Sequence, residues 1–393
     1  MPEPPPHLSH SLGDIPDLIC LSHLRWQFVF QRPQHLMTRF ARNRRVFFVE
    51  EPISDDTLAT RITVEVHDGV HVVVPHLPRA FGEIESISAQ RAVLEQLFAR
   101  ERISRYVLWY YTPLALRFSS HLTPVGVVYD CMDELSAFKG APSELPALER
   151  ELMRRADVVF TGGHSLYEAK KGLHPNIHAV PSSVDVAHFA TARQIRRDPP
   201  DQEPIPRPRL GFFGVLDERL DIPLLQGLAD ARPDWQLVMI GPVVKIDPRD
   251  LPRRPNIHYL GPKAYADLPH YIGGWDVALL LFARNESTRY ISPTKTPEYL
   301  AAGRPVVSTS IRDVVSPYGE RGLVYIADTV PDMVRACNAA LREPAEFRRT
   351  RADAFLAGTS WDKTWSRTAS LLDAATAAVI PQQPQTARAA RGA

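Results

Sequence analysis

The chain has 393 residues, more than one typical domain holds, and its 44% hydrophobic and 23% charged content is that of a soluble globular protein. A net charge of +1 excludes nucleic acid as the main partner, and three cysteines without metal-ligand spacing exclude a disulfide framework or a zinc site. No apolar run reaches the length of a membrane span, and the opening MPEPPPHLSHSLGDIP lacks the plan of a signal peptide, so the expectation is a cytoplasmic enzyme.

Residues 1–16 are rich in Pro and His and are expected to be disordered. Asp17–Ser22 (DLICLS) then reads as a buried strand, Arg32–Arg42 as an amphipathic helix with Leu36, Met37 and Phe40 inward, and Arg45–Glu50 as the next strand. Between the first strand and the helix lies SHLRWQFVFQRPQH, just beyond a strand's carboxyl end, where open α/β sheets bind ligands. His23, Arg25, Trp26 and Arg32 are therefore acceptor-side candidates, although they can equally cap and cover the first helix. Strands near 62–66 and 70–75 form a hairpin turning at Asp68-Gly69. Helical patterns near 86–102 and 113–120, over Pro146–Arg155 and from Ser165 alternate with strands at Tyr106–Tyr110, Gly126–Tyr129, Val158–Thr161 and near Ile177–Val180. That alternation predicts a mainly parallel, doubly wound sheet.

QIRRDPPDQEPIPRPR, residues 194–209, reads as a semi-rigid proline-rich linker unable to support a core element. A second α/β run follows, with strands at Leu210–Phe213, Gln236–Ile240, near Ile257–Leu260, at Asp276–Phe282 and at Leu323–Ile326, and a last helix near 361–379. The expected plan is α/β: a domain over 17–193, a second over 210–379, a disordered tail over 380–393, and a substrate cleft between the domains.

Within the second half, NESTRYISPTKTPEYLAAGRPVVST (residues 285–309) reads as a loop, a helix capped by Ser292 with Pro293 at its first position, a stop at Gly303 and a strand. Lys295 in the first turn faces the positive end of the helix dipole, a conflict of roughly 0.3–1 kcal/mol. An anion bound beside Thr294 and Lys295 removes that conflict, and Glu298 on the same face can accept from ribose hydroxyls. A surface Lys295–Glu298 ion pair explains the same residues.

Two further stretches carry chemistry. YDCMDEL (residues 129–135) ends a strand in acids, and Asp130, Asp133 or Glu134 can take a proton from an attacking hydroxyl or simply cap a short helix. GFFGVLDERLD (residues 211–221) places Gly214 just after a strand, where backbone approaches ligand closely, and Arg219 near a helix start. No H-E-x-x-H, C-x-x-C pair or G-x-S-x-G occurs, so metalloprotease, zinc and α/β-hydrolase readings lack support.

From Asp17 to Ala378 these stretches together resemble the GT-B glycosyltransferases, in which two Rossmann-like domains close on a nucleotide-sugar. VPSSVDVAHF (residues 180–189) resembles a segment of glycosyltransferase family 4, with Ser183 at the usual glycine position. SPTKTPEYLAAGRPVVST is similar to the K-x-x-E-Y-L-A-A-G-x-P-V-V-S segment of bacterial cell-surface glycosyltransferases. SHLRWQFVFQRPQHL resembles the opening of a group that includes teichuronic-acid-type transferases. The resemblance implies Lys295 on the donor diphosphate and Glu298 on the ribose, with Ser292, Thr294, Gly214, Arg219 and Tyr290 around them. Similarity to the xanthan-pathway glucuronosyltransferase implies Asp133 as the catalytic aspartate.

Family 4 enzymes carry a second glutamate eight positions before the ribose glutamate. Tyr290 stands there in this chain, which leaves retaining and inverting outcomes both open. The implied activity is transfer of a sugar from a nucleoside-diphosphate sugar, used as donor substrate without cofactor or metal, to a glycan or lipid-linked acceptor in cell-surface polysaccharide synthesis. A sugar-nucleotide epimerase of the same fold and a non-catalytic nucleotide-sugar-binding scaffold are the alternatives. FARNRRVFF and LFARERISRYVLWYY mix basic and aromatic residues, either as an interfacial face for peripheral contact with the inner membrane or as helix–strand junctions with buried aromatics.

Overall fold

The computed structural model describes residues 15–377; the expected disordered tails, residues 1–16 and 380–393, lie outside the described residues except for Ile15 and Pro16. The first sheet contains β1 (Asp17–Leu21), β2 (Val46–Val49), β3 (Ile53–Asp55), β4 (Arg61–His67), β5 (Val70–Pro78), β6 (Tyr106–Tyr110), β7 (Gly126–Cys131), β8 (Val158–Thr161) and β9 (Ile177–Ala179). Its order is β3-β5-β2-β1-β6-β7-β8-β9, parallel throughout, with β4 paired antiparallel to β5. The β4–β5 turn uses Asp68 at φ 49° and Gly69 at φ 83°, the two left-handed residues a tight hairpin requires.

The second sheet contains β10 (Arg209–Phe213), β11 (Gln236–Ile240), β12 (Ile257–Gly261), β13 (Val277–Leu280), β14 (Val306–Ser308) and β15 (Val324–Ile326). These run parallel in the order β12-β11-β10-β13-β14-β15, a doubly wound sheet with its switch point between β10 and β13. Both sheets are covered on both faces, which is why strands such as Val46–Val49 and Val277–Leu280 are apolar at every position.

The proline-rich segment does not behave as a spacer. Gln202 is fully buried: Trp275 Nε1–H donates to its Oε1 at 2.9 Å, and its Nε2 donates to the Tyr271 carbonyl at 2.9 Å. Ile205 is buried in the same core, and the Arg209 guanidinium donates to the Ile205 carbonyl at 2.7 Å and to Asp198 at 2.6 Å. Composition concealed this, because one amide and one isoleucine seat the whole segment on the second domain.

The final helix, Trp361–Ala377, lies on the first domain instead of the second. Trp361 and Leu372 share a core with Leu36, Met37, Phe40 and Trp109, and Asp362 accepts from Arg39 and Arg42 at 3.0 Å each. The chain thus crosses back and ties the domains together. Of the aromatic residues in the two segments that mix basic and aromatic side chains, Phe40, Phe47, Phe48, Tyr106, Trp109, Tyr110 and Tyr111 are buried in the core and Phe98 is half-buried against it. Among the described residues no helix is long and apolar enough to cross a membrane.

Candidate active site

The carboxyl ends of the two sheets face each other across a cavity of about 700 Å³. The first domain contributes Trp26–Gln31 after β1, the hairpin tip His67–Asp68, Met132–Asp133 after β7 and Gly162 after β8. The second contributes Phe213–Val215 after β10, Ile240–Pro242 after β11, Pro262–Tyr265 after β12, Phe282, and Ile291–Lys295 with Glu298. Asp133, Gly214, Arg219, Ser292, Thr294, Lys295, Glu298 and Trp26 thus meet in one cleft, although they come from distant parts of the chain.

The helix carrying Lys295 and Glu298 spans Lys295–Ala301, so it starts later than its sequence signals suggest. Ser292 is not its cap: Thr294 occupies that position in helical conformation without a side-chain cap, and Pro293 precedes it. Gly303, at φ 72°, ends the helix as expected. The Lys295 ammonium lies over the rings of Phe212, Phe213 and Phe282, at 5.8, 6.0 and 6.0 Å from their centroids. Its stem runs across Gly214, where a Cβ would lie 2.2 Å from Lys295 Cε, and Gly214 is at φ 139°. Only glycine satisfies both the conformation and the approach.

Glu298 is 7% exposed, and its Oε2 has no hydrogen-bond partner among the described residues. Burial pushes its carboxyl up to about 8, with Lys295 pulling the other way. Burial lowers the Lys295 ammonium from its usual range; Glu298, Asp217 and Asp133 oppose the shift and Arg219 adds to it. The two groups are therefore not a solvated surface pair. Both line the cavity, Lys295 half-buried and Glu298 buried with one carboxylate oxygen short of a partner.

Opposite them, burial raises the Asp133 carboxyl above the usual range; Arg219, Lys295 and Lys245 draw it down, and Asp217 pushes it up. A carboxylate in that setting is a better base than one in water. Arg219 is held by Asp217, which accepts from its Nε at 3.0 and 3.1 Å and from Nη2 at 2.6 Å, and it stacks over Phe138 of the other domain at 5.5 Å. Glu134 is drawn away from the cleft to Lys170, 2.7 Å from its ammonium, and this anchors the loop that presents Asp133.

Other candidates do not reach the cleft. Arg32 and Asp130 form a bidentate ion pair at 1% and 0% side-chain exposure, and Arg32 Nη1 donates to the Val180 carbonyl at 2.7 Å. They hold the first domain together beneath the site and are not acceptor contacts. Arg25 is clamped on Glu50 at 3.0 Å and on the carbonyls of Glu51 and Pro52, which pins a loop. His23 does not line the cavity; it is half-buried, and burial lowers its imidazole to about 4, aided by Lys245, so it is neutral. Tyr290 packs against the core of the first domain, away from the cavity, under the Arg289 guanidinium at 5.2 Å. Trp26 does line the cavity edge, but its backbone N–H donates to Glu50 Oε1 at 2.7 Å and its ring packs edge-on to Phe48.

The structure also adds residues that the sequence did not single out. Tyr265 lines the cavity between Phe30 of the first domain, stacked at 4.5 Å, and His188, stacked at 4.5 Å. Its hydroxyl is buried without a partner, and burial together with Glu298 raises its pKa strongly. No motif marks Tyr265; its position after a strand of the second sheet was the available clue. Among the described residues, no group of three or more His, Cys, Asp or Glu side chains is gathered as a metal site.

Two facing doubly wound sheets with the final helix crossing back to the first define the GT-B fold. Solved structures of that fold superpose over nearly the whole chain. Sucrose-phosphate synthase from Thermosynechococcus elongatus matches with a TM-score of 0.69 at 13% identity, over 93% of this chain and 100% of that one. HepE from Anabaena in complex with UDP-glucose matches with a TM-score of 0.68 at 12% identity, over 91% and 99% of the two chains.

More particularly, residues 207–343 match the family model described as Glycosyl transferases group 1. The chain is 27% identical over 257 residues to the putative teichuronic acid biosynthesis glycosyltransferase TuaH of Bacillus subtilis (strain 168). That match covers 60% of this chain and 64% of the relative, under two thirds of its length.

Proposed function

We propose that the protein is a glycosyltransferase of bacterial cell-surface polysaccharide synthesis, moving a sugar from a nucleoside-diphosphate sugar to a glycan or lipid-linked acceptor. The observation that carries this reading is the cleft wall itself, where the buried Glu298 has an oxygen without a partner beside the Lys295 ammonium, opposite the raised carboxyl of Asp133. The group 1 glycosyl transferase match over residues 207–343 and the teichuronic-acid relative support it, as does the UDP-glucose named for the Anabaena structure.

In this reading Lys295 and Arg219 face the donor diphosphate and stabilise the negative charge that grows on it as the glycosidic bond breaks. Glu298 Oε2 accepts from the ribose hydroxyls, and Gly214 lets the backbone approach the phosphates. Asp133 takes the proton of the acceptor hydroxyl as its oxygen attacks the anomeric carbon. Charge stabilisation by these side chains leaves no step that requires a divalent metal or a cofactor. The acceptor enters past Trp26 and the hairpin tip at His67. Three buried free cysteines, Cys20, Cys131 and Cys337, fit a reducing compartment, so we place the enzyme in the cytoplasm. Contact with the membrane face falls to exposed apolar residues of the first domain, such as Leu58, Val66 and Ile84.

A thermal-shift screen of nucleoside diphosphates and their sugars tests the donor site, because ligands of the folded state raise its stability by mass action. Stabilisation by one nucleoside diphosphate, and its release from the sugar donor on adding acceptor, is expected. A new sugar isomer formed from donor alone would replace the transferase by an epimerase.

A further inference from the structure

Two short turns meet across the domain boundary in an arrangement that the donor and base assignments do not use. The helix His164–Lys170 of the first domain starts after Gly163, which has no side chain to cap it. Its first N–H groups are served by the other domain: His164 N–H donates to Asp313 Oδ2 and Ser165 N–H to Asp313 Oδ1, both at 2.9 Å. Asp313 is 5% exposed and sits on the turn Arg312–Val314, which follows β14.

The two surfaces fit closely. A Cβ on Gly163 would lie 2.3 Å from Asp313 Oδ2 and 2.6 Å from Ser292 Cβ. Gly163 has φ −161°, extended backbone open to any residue, so it is the interdomain contact that excludes a side chain there. The contact lies between the two segments that carry the chemistry. Ser292 is three residues before Lys295. On the other side, Gly162 abuts Met132, whose carbonyl would be 2.5 Å from a Cβ on Gly162, and Met132 precedes Asp133. A shift at this seam therefore moves Asp133 and Lys295 relative to each other.

We propose that Asp313 is a positioning residue: its carboxylate, docked on the opposite domain's helix, sets the separation at which Asp133 faces the Lys295 segment. The turnover part of this inference rests on the transferase reading; the docking itself does not. Unlike Lys295 and Glu298, Asp313 does not line the cavity, so its loss leaves the donor contacts in place.

The test uses the full chain with three variants. Asp313→Ala removes the carboxylate, Gly163→Ala inserts a methyl from the other domain while the carboxylate stays, and Asp313→Asn keeps one acceptor oxygen. X-ray scattering should show Asp313→Ala and Gly163→Ala more extended than wild type at unchanged helix content. UDP affinity and the donor KM should stay within about threefold, while kcat for release of UDP from UDP-glucose, with the glucosyl group passing to an added glycan acceptor or to water, falls by about tenfold or more, since an ångström of misplacement costs up to ~10²-fold. Asp313→Asn should fall between. Wild-type scattering and kcat in both alanine variants would overturn the inference, as would loss of UDP binding in step with kcat. Should Asp313→Ala fail to fold, Gly163→Ala decides alone. A wild-type chain that binds neither UDP nor any other nucleoside diphosphate would refute the donor reading instead, and the scattering comparison would still judge the clasp.

Discussion

Replacing Glu298 by Gln should make the empty protein more stable and its nucleotide binding weaker. In the wild type the Glu298 carboxyl is raised by burial to about 8, against 4.5 for the free group. An acid raised in this way loses its proton more readily in the unfolded chain. Wild type therefore loses stability as pH climbs from about 4.5 to about 8, and the loss levels off above that. The slope is at most ~1.4 kcal/mol per pH unit. In the variant Lys295 loses its counter-charge, which takes back part of the gain. A net stabilisation of about 1–3 kcal/mol at alkaline pH is expected, the cost of one buried polar oxygen without a partner. At about 2–4 °C per kcal/mol, melting scans from about pH 5 to about pH 9 resolve it. The two proteins should melt close together at the acid end and separate toward the alkaline end. UDP should bind about 10- to 100-fold more weakly to the variant at the alkaline end, where Glu298 is ionised and its hydrogen bond to ribose is charge-assisted, and with a smaller difference at the acid end. A variant that melts at or below wild type throughout and binds UDP equally would mean Glu298 is an ordinary structural acid.

Asp133→Asn removes the proposed base while keeping its shape, so turnover should fall by about 10²-fold or more with UDP affinity unchanged; full activity would return Asp133 to a capping role. Gly214→Ala puts a Cβ 2.2 Å from Lys295 Cε at a φ of 139°, and UDP titration should show donor binding largely lost with the fold retained. Equal affinity would mean that Lys295 does not depend on that approach. Arg32→Ala leaves Asp130 buried and unpaired, which should cost about 3–5 kcal/mol in urea unfolding; a selective rise in acceptor KM at wild-type stability would contradict its placement beneath the cleft.

The sheets were legible because strands buried on both faces are apolar throughout: LICL, VFFV, YVLWY and VALL need no partner to be recognised. The cleft wall that carries Lys295 and Glu298 was legible for a different reason. Lys295 opens a helix and Glu298 follows one turn on, a local pattern that survives without tertiary information. The acceptor side had no such pattern. Arg32 and Asp130 stand 98 positions apart in sequence, and nothing local says that each neutralises the other below the cleft. Tyr290 was read as part of the donor motif because it stands eight positions before Glu298, where family 4 carries a glutamate, yet its ring packs against the core of the first domain. Ser292 carries the residue type of a cap, but contact with Gly163 across the boundary claims it. The proline-rich segment misled by composition: Gln202 makes it part of the core through hydrogen bonds that average hydropathy does not register. Local chemistry was readable, whereas pairings across domains required the fold.

The central claim is that the cleft binds a nucleoside diphosphate through Lys295, and calorimetric titration of UDP into wild type and Lys295→Ala tests it most directly. The account predicts one site in the wild type and at least about tenfold weaker binding in the variant, whose melting temperature should not fall because it sheds a desolvated cation. Binding of equal strength in the two proteins, or none in the wild type to UDP or any other nucleoside diphosphate, would contradict it.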